Sequence, residues 1–231
     1  MKTFLSIALL MLPSIFPTGG QDLPISVADS GSKAVDELVV GLVSRRPAPG
    51  PTSTEEPKGL RQEGGLGIAS LSGRYATAEV EEAIYKLQAL GPSAFPYLLK
   101  HLHDDRYSYS DQPFISGINS EGWMNHSVGE AVYDFVLTND LDWVGGYKSR
   151  KGADGVGHTP LTFEDYLETR GGMEAWVAAV KDRSRVSVFT EFIDWCVEEE
   201  RKRGFESKED EELILGNYLA KRKKIEEAEK K

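Results

Sequence analysis

One pattern, Val-x-Glu-[Leu/Ala]-[Val/Ile]-[Val/Tyr]-x-[Leu/Phe], occurs three times in the chain, starting at Val35, Val80 and Val128. The copies lie 45 and 48 residues apart, at or just beyond the roughly 40–47-residue period of two- and three-helix repeat units. Aligned, they superpose Val35, Val80 and Val128, then Glu37, Glu82 and Glu130, then Val39, Ile84 and Val132, then Leu42, Leu87 and Phe135. Apolar residues at i, i+4 and i+7 share one helix face, and the common Glu sits off that face near the N-terminal end, where it complements the helix dipole. Each copy therefore predicts one amphipathic helix. A helix this short cannot stand alone, so each needs a packing neighbour.

The middle copy is followed at once by a second helical segment. After Leu90 the chain reads Gly91-Pro92-Ser93-Ala94-Phe95-Pro96-Tyr97-Leu98-Leu99-Lys100-His101-Leu102. Gly followed by Pro marks a helix stop, and Pro96 is tolerated in the first turn of the next helix. Ala94 or Phe95, Leu98, Leu99 and Leu102 then form a second apolar stripe. With the following Asp104, Asp105, Arg106 and Tyr107, the stretch from Thr77 to Tyr107 resembles a HEAT-like repeat, whose second helix runs into an Asp-containing turn and an Arg. The block Asp104–Ser110 and the block Asn125–Ala131 also resemble a family of exported bacterial proteins of unknown function with HEAT-like character. The resemblance reaches to about Gly204 and Phe205, and no activity carries over from it. It implies an all-α chain. In the first copy the partner helix is replaced by Pro47-Ala48-Pro49-Gly50-Pro51, and in the third it is displaced by an insertion. The expected fold is thus a degenerate HEAT-like bundle of the α-solenoid type, with long loops.

The chain opens with Lys2, an apolar run from Phe4 to Phe16, and Pro17-Thr18-Gly19-Gly20. A basic start, a short apolar core and small residues after a Pro describe a secretory signal peptide over residues 1–20. The protein is expected to be exported, periplasmic or extracellular, with an uncleaved N-terminal anchor as the rival and no membrane span after cleavage. Cys196 is the single cysteine, so the chain forms no internal disulfide. It falls on the apolar side of a helix with Phe189, Phe192 and Ile193, as a small buried hydrophobe does. The net charge of −10 argues against nucleic acid or anionic lipid as partners.

Three stretches follow the signal segment. Residues 21–74 read as a flexible start, one helix at Ala34–Val43 and a Pro/Gly-rich linker from Pro47 to Gly73. Residues 75–206 read as the helical domain, interrupted by loops at 107–125 and 145–160, with Asn125 or Ser127 placed to cap the third copy. Within it, helices are expected at Gly172–Lys181 and Val186–Arg203, the latter stopped by Gly204. Residues 207–231 read as a charged terminal helix or tail that docks by its first half and frays beyond Ala220. Lys221–Lys224 belongs to a solvated helix face, since Glu226 and Glu227 adjoin it.

Chemistry-bearing clusters are few. His101, His103, Asp104 and Asp105 offer imidazole and carboxylate ligands suited to zinc or manganese. Two residues apart on a helix point in opposite directions, so His101 and His103 converge only if the helix ends by Leu102. A metal-dependent hydrolase centred there is the alternative function. His126 and His158 lie in loops that could close on the cluster, and each also serves as a solvated or capping residue. Asp154-Gly155 suggests a tight turn and lacks the alternating ligands of a calcium loop. Ser30-Gly31-Ser32-Lys33 fits Ser-x-x-Lys without the partner motifs of that chemistry. No cofactor is expected. Arg106, Tyr107, Tyr109, Phe114, Trp123, Trp143 and Tyr147 instead gather in or beside the two long loops, where aromatic anchors would serve a binding surface. The leading expectation is an exported interaction or scaffold module whose loops contact a protein or another cell-envelope partner.

Overall fold

A computed structural model describes residues 27–50, 61–62, 74–111, 122–138, 141 and 144–228. The signal segment, Phe114 and Trp143 lie outside the described residues, as does most of the linker. The three repeated stripes fall on α1 (Val27–Gly41), α2 (Ala78–Leu90) and α4 (Val128–Ala131), the last continuing as a π-helix over Val132–Leu137. Their apolar residues, from Val35 through Leu87 to Phe135, are buried in one continuous core. The shared Glu37, Glu82 and Glu130 all face solvent.

Local chemistry sets the ends of these helices. Thr77 caps α2 by accepting from the Val80 N–H, and Gly91 ends it at φ 66°, a left-handed conformation that costs glycine little. Between Gly91 and His101 the second helix of the unit is broken up. A 3₁₀ turn (Gly91–Ala94) leads into α3 (Phe95–Leu98) and a second 3₁₀ turn (Leu99–His101), because Pro92 and Pro96 remove main-chain donors. Ser127 caps α4 in a full capping box with Glu130. The backbone of α4 begins against the preceding turn: Val128 N–H donates to Arg106 O at 2.8 Å and Gly129 N–H to Asp104 O at 2.9 Å.

The all-α expectation is overturned. A four-stranded antiparallel sheet runs β1 (Arg61–Gln62), β2 (Arg74–Ala76), β3 (Tyr107–Asp111) and β4 (Met124–Ser127) in that order. A separate hairpin pairs β5 (Arg150–Lys151) with β6 (Gly157–His158). Tyr107-Ser108-Tyr109-Ser110 carries the period-2 alternation of a strand. Its partners, however, are short polar segments without an apolar run. Asn125 and Ser127 double as the entry to a helix, so the stretch reads as a capped loop until the pairing is seen.

The C-terminal half is helical: α5 (Phe163–Thr169), α6 (Met173–Val180), α7 (Arg185–Arg203) and α8 (Lys208–Ala228). Helix α5 starts at a Thr162 capping box with Asp165. Its Phe163 and Tyr166 pack with Trp176 and Phe192, ring centroids 4.9–5.6 Å apart. Such pairs contribute about 0.5–1.5 kcal/mol each beyond burial. Two expected boundaries also move. Helix α1 begins at Val27, inside the stretch expected to be flexible, and α8 continues to Ala228 with Ile225 fully buried rather than fraying after Ala220. Among the described residues no helix is long and apolar enough to cross a membrane.

Candidate functional site

The two clusters singled out by sequence are dispersed. His101 Nε2 lies 2.9 Å from Asp36 Oδ1, and Lys100 Nζ lies 2.8 Å from the same oxygen. Lys100 and His101 hold the Asp36 carboxyl below its usual range. His101 thus ties the end of the α3 segment to α1. Asp104 accepts a forked bond from Arg106, with Nε at 2.9 Å and Nη2 at 2.5 Å. His103 and Asp105 are exposed. Among the described residues no three His, Cys, Asp or Glu side chains converge on a point.

The aromatic residues separate in the same way. Tyr109 is fully buried and Trp123 is 4% exposed. Trp123 meets Tyr75 edge-on at 4.7 Å, and Tyr107 shares a 2.6 Å hydrogen bond with Ser110. Tyr147 lies on the far loop, against α7.

Sequence reasoning missed a charged network around His126. The ring stacks on Tyr109, with centroids 4.4 Å apart and planes within 7°. Nδ1 is 3.4 Å from Glu130 Oε1 and Nε2 is 3.2 Å from Asp111 Oδ1. The Asp111 contact misses hydrogen-bonding angles, so it is a charge contact rather than a bond. Arg74 Nε stands 3.8 Å from the other Asp111 oxygen, and the Tyr109 hydroxyl donates to Asp134 at 2.9 Å. Burial alone would push His126 down, but the Asp111 and Glu130 carboxylates outweigh it and hold the imidazole above its ordinary value. A general base needs one ring nitrogen facing substrate. Here a carboxylate faces each nitrogen, which suits a cationic brace between β3 and α4.

The second network anchors the loop that follows residue 144. Glu200, on α7, is 0% exposed. Arg150 Nε donates to its Oε2 at 3.1 Å, Nη2 pairs with the same oxygen, and the Tyr147 hydroxyl donates to Oε1 at 2.5 Å. Arg150 Nη1 also donates to Gly204 O at 2.6 Å, and its guanidinium lies over the Phe205 ring at 4.8 Å. Burial and the adjacent Glu200 push Tyr147 up to about 12. Arg203 Nη1 donates to Thr159 O at 2.8 Å, and Asn217 of α8 donates to Gly145 O at 3.0 Å. The base of the loop is therefore clamped to both terminal helices. Toward its tip one long bond remains, Ala153 N–H to Arg203 O at 3.4 Å, and the side chains of Lys151, Ala153, Asp154 and Val156 are exposed, Val156 by 53%, as are those of Lys148 and Ser149 just ahead of β5. The clue in the sequence was Glu200 itself. It continues the stripe of Phe189, Ile193 and Cys196 at helical spacing, and a charge on an apolar stripe demands a partner. Nothing in the sequence marks Arg150, 50 residues away, as that partner.

Comparison with protein-family models, with characterised proteins and with solved structures finds no match to this chain.

Proposed function

We propose that this chain is an exported interaction module of the cell envelope, and that it contacts its partner through the tip of the β5–β6 hairpin. The observation that carries the reading is the contrast between the hairpin's base and its tip. A buried Arg–Glu pair is an expensive fastener, because desolvating both charges offsets most of their attraction. Here it fastens a surface loop. A loop held in one conformation loses little entropy on binding, which favours recognition. The exposed Lys148 and Lys151 beside the exposed Val156 suit a protein surface with an apolar centre and an acidic rim, in a chain whose own charge is strongly negative. Export rests on the apolar N-terminal segment. The aromatic anchors first expected at Tyr109 and Trp123 are buried, so the binding role moves to the hairpin.

The test is capture from the native host after cross-linking, with a C-terminal tag. K148E, K151E and V156D should each release the captured partner, while Leu213→Asp, an exposed position on α8, should retain it. A partner held equally by all four variants would end the hairpin reading, as would recovery of the protein in the cytoplasmic fraction.

A further inference from the structure

Helix α8 packs on α7 by one face, where Ile214, Leu215, Tyr218 and Ile225 are buried. Its opposite face is centred on Gly216. Helical spacing groups Glu209, Glu212 and Leu213 before that glycine with Leu219, Ala220 and Lys223 after it. All six are exposed, Leu213 by 65% and Leu219 by 54%. Along the axis the face therefore runs acidic, apolar, glycine, apolar, basic. Glu209 and Lys223 each lie seven residues from Gly216, and Leu213 and Leu219 each lie three. Turned end for end about Gly216, the face is its own complement.

Gly216 supplies a second observation. Glycine is among the poorest helix formers, and one kept inside a helix usually serves close packing. Within the chain no such packing exists, because a Cβ on Gly216 would meet nothing within 4 Å beyond its own turns. The room it leaves is open to another molecule. The charges point the same way. Glu209 and Lys223 stand about 21 Å apart along the axis at 1.5 Å per residue, too far to meet within one helix. Glu212 pairs with Lys208 at 3.3 Å and Lys223 with Glu227 at 3.7 Å, each one turn along and exposed. Such pairs are weak and exchange readily for others.

We propose that two copies of this chain associate through the outer faces of their α8 helices, antiparallel and crossing at Gly216. The crossing sets Glu209 against Lys223 and Leu213 against Leu219 twice over, the isologous pattern in which i meets j and j meets i. Helix axes pack 8–10 Å apart, and glycine facing glycine permits the near end of that range. Charge complementarity selects the second copy, since Glu209 and Glu212 would repel an anionic lipid surface. One helix face per copy is small for a specific interface, so the dimer dissociates in the micromolar range. The claim stands apart from the hairpin reading: Leu213→Asp should separate the two copies and still capture the hairpin's partner.

The test is sedimentation equilibrium of the full chain from low to high micromolar concentration, where a monomer–dimer equilibrium is expected. Leu213→Asp and Gly216→Leu should each weaken association about tenfold or more. Gly216→Leu should leave the Tm of the monomer unchanged or raised, since Leu is the better helix former, which separates a lost contact from a lost fold. Glu209→Lys and Lys223→Glu should each associate about tenfold more weakly, because like charges then face each other at both ends of the crossing. An equimolar mixture of these two variants should recover the dimer, as each carries a single sign at its two ends and the signs are opposite. A chain that stays monomeric throughout, a dimer indifferent to Gly216→Leu, or a mixture no tighter than either variant alone would overturn the proposal. So would a monomer that sediments with phosphatidylglycerol vesicles, which would assign the face to a lipid surface.

Discussion

Replacing Glu200 with Gln tests the clamp most directly, because the shape is kept and only the charge is removed. Glu200 is fully buried and the Arg150 side chain is 8% exposed, so the guanidinium left behind has little access to water. At 3.1 Å and an effective dielectric of about 20, the gross attraction between the two charges is about 5 kcal/mol. Part of it is retained, since the amide oxygen of Gln accepts one bond and Gly204 O keeps another Arg150 donor. The new amide NH₂ can donate to the Tyr147 hydroxyl once that hydroxyl turns its own hydrogen to Thr159 O, so the cost lies in the charge left unpaired on Arg150. The expected net loss is about 3–5 kcal/mol, the range for breaking one side of a buried pair. For a domain of this size that corresponds to a fall in Tm of about 6–20 °C. Urea unfolding followed by circular dichroism and tryptophan fluorescence measures it, and amide exchange at Gly152 reports whether the hairpin loosens. The double variant R150M/E200L should be more stable than E200Q alone, because neither charge is then buried without its partner. A loss below about 1 kcal/mol in E200Q, or a double variant that loses the sum of both singles, would refute the account.

Three further outcomes are expected. Gly129→Ala should destabilise the protein by about 1–3 kcal/mol in urea unfolding, although Ala is the better helix former by about 1 kcal/mol; its Cβ would fall 2.4 Å from Leu102 O, a main-chain atom that cannot swing aside. The folded His126 titrates above the 6.5 of a free imidazole, so its braced charge stabilises fully below that value, and the contribution is lost as pH rises through the folded value. Unfolding curves between pH 5 and 9 should show this decline in the wild type and a shallower one in His126→Gln. Cys196 is fully buried, and burial, then the Glu200 charge, pushes its thiol far up; a thiol reagent should label it only after urea is added, and labelling of the native protein would contradict the packing of α7.

What could be read from the sequence was the part of the fold governed by local spacing. Val35, Val39 and Leu42 lie at helical intervals, so their shared burial follows without knowledge of what covers them. Gly91 and Gly204 stop helices for a reason internal to each, a positive φ that other residues resist. The sheet was illegible for the opposite reason. Tyr75 pairs with Ser110, and Tyr109 with His126, and no local signal says that such distant polar segments will meet. The same holds for the site residues. Glu200 stands on an apolar stripe, a place that asks for a partner, but Arg150 looks like any polar loop residue until the α7 end lies beside it. His101 and Asp104 failed as a cluster because each found a nearer partner, in Asp36 and Arg106. Adjacency in sequence supplies ligand types, whereas convergence is decided by the fold.

The two networks also explain why three similar helices need not form a regular stack. A solenoid requires each unit to meet the next through the same apolar face. Here β3 follows the second stripe in the chain and pairs with β2, and α4 docks by its N-terminal backbone on the turn at Asp104 and Arg106. Gly129 allows that approach, since its missing side chain lets the helix touch Leu102 O. The helix then relaxes into a π turn, in which Thr138 N–H reaches back to Tyr133 O. That register brings Asp134 to the Tyr109 hydroxyl and places the Phe135 ring beside Tyr109, 5.2 Å between centroids. The third copy therefore packs against the sheet as well as against α2, where the Gln88 amide donates to Phe135 O at 2.8 Å. Its Glu130, whose counterparts Glu37 and Glu82 are exposed on α1 and α2, becomes a partner of His126.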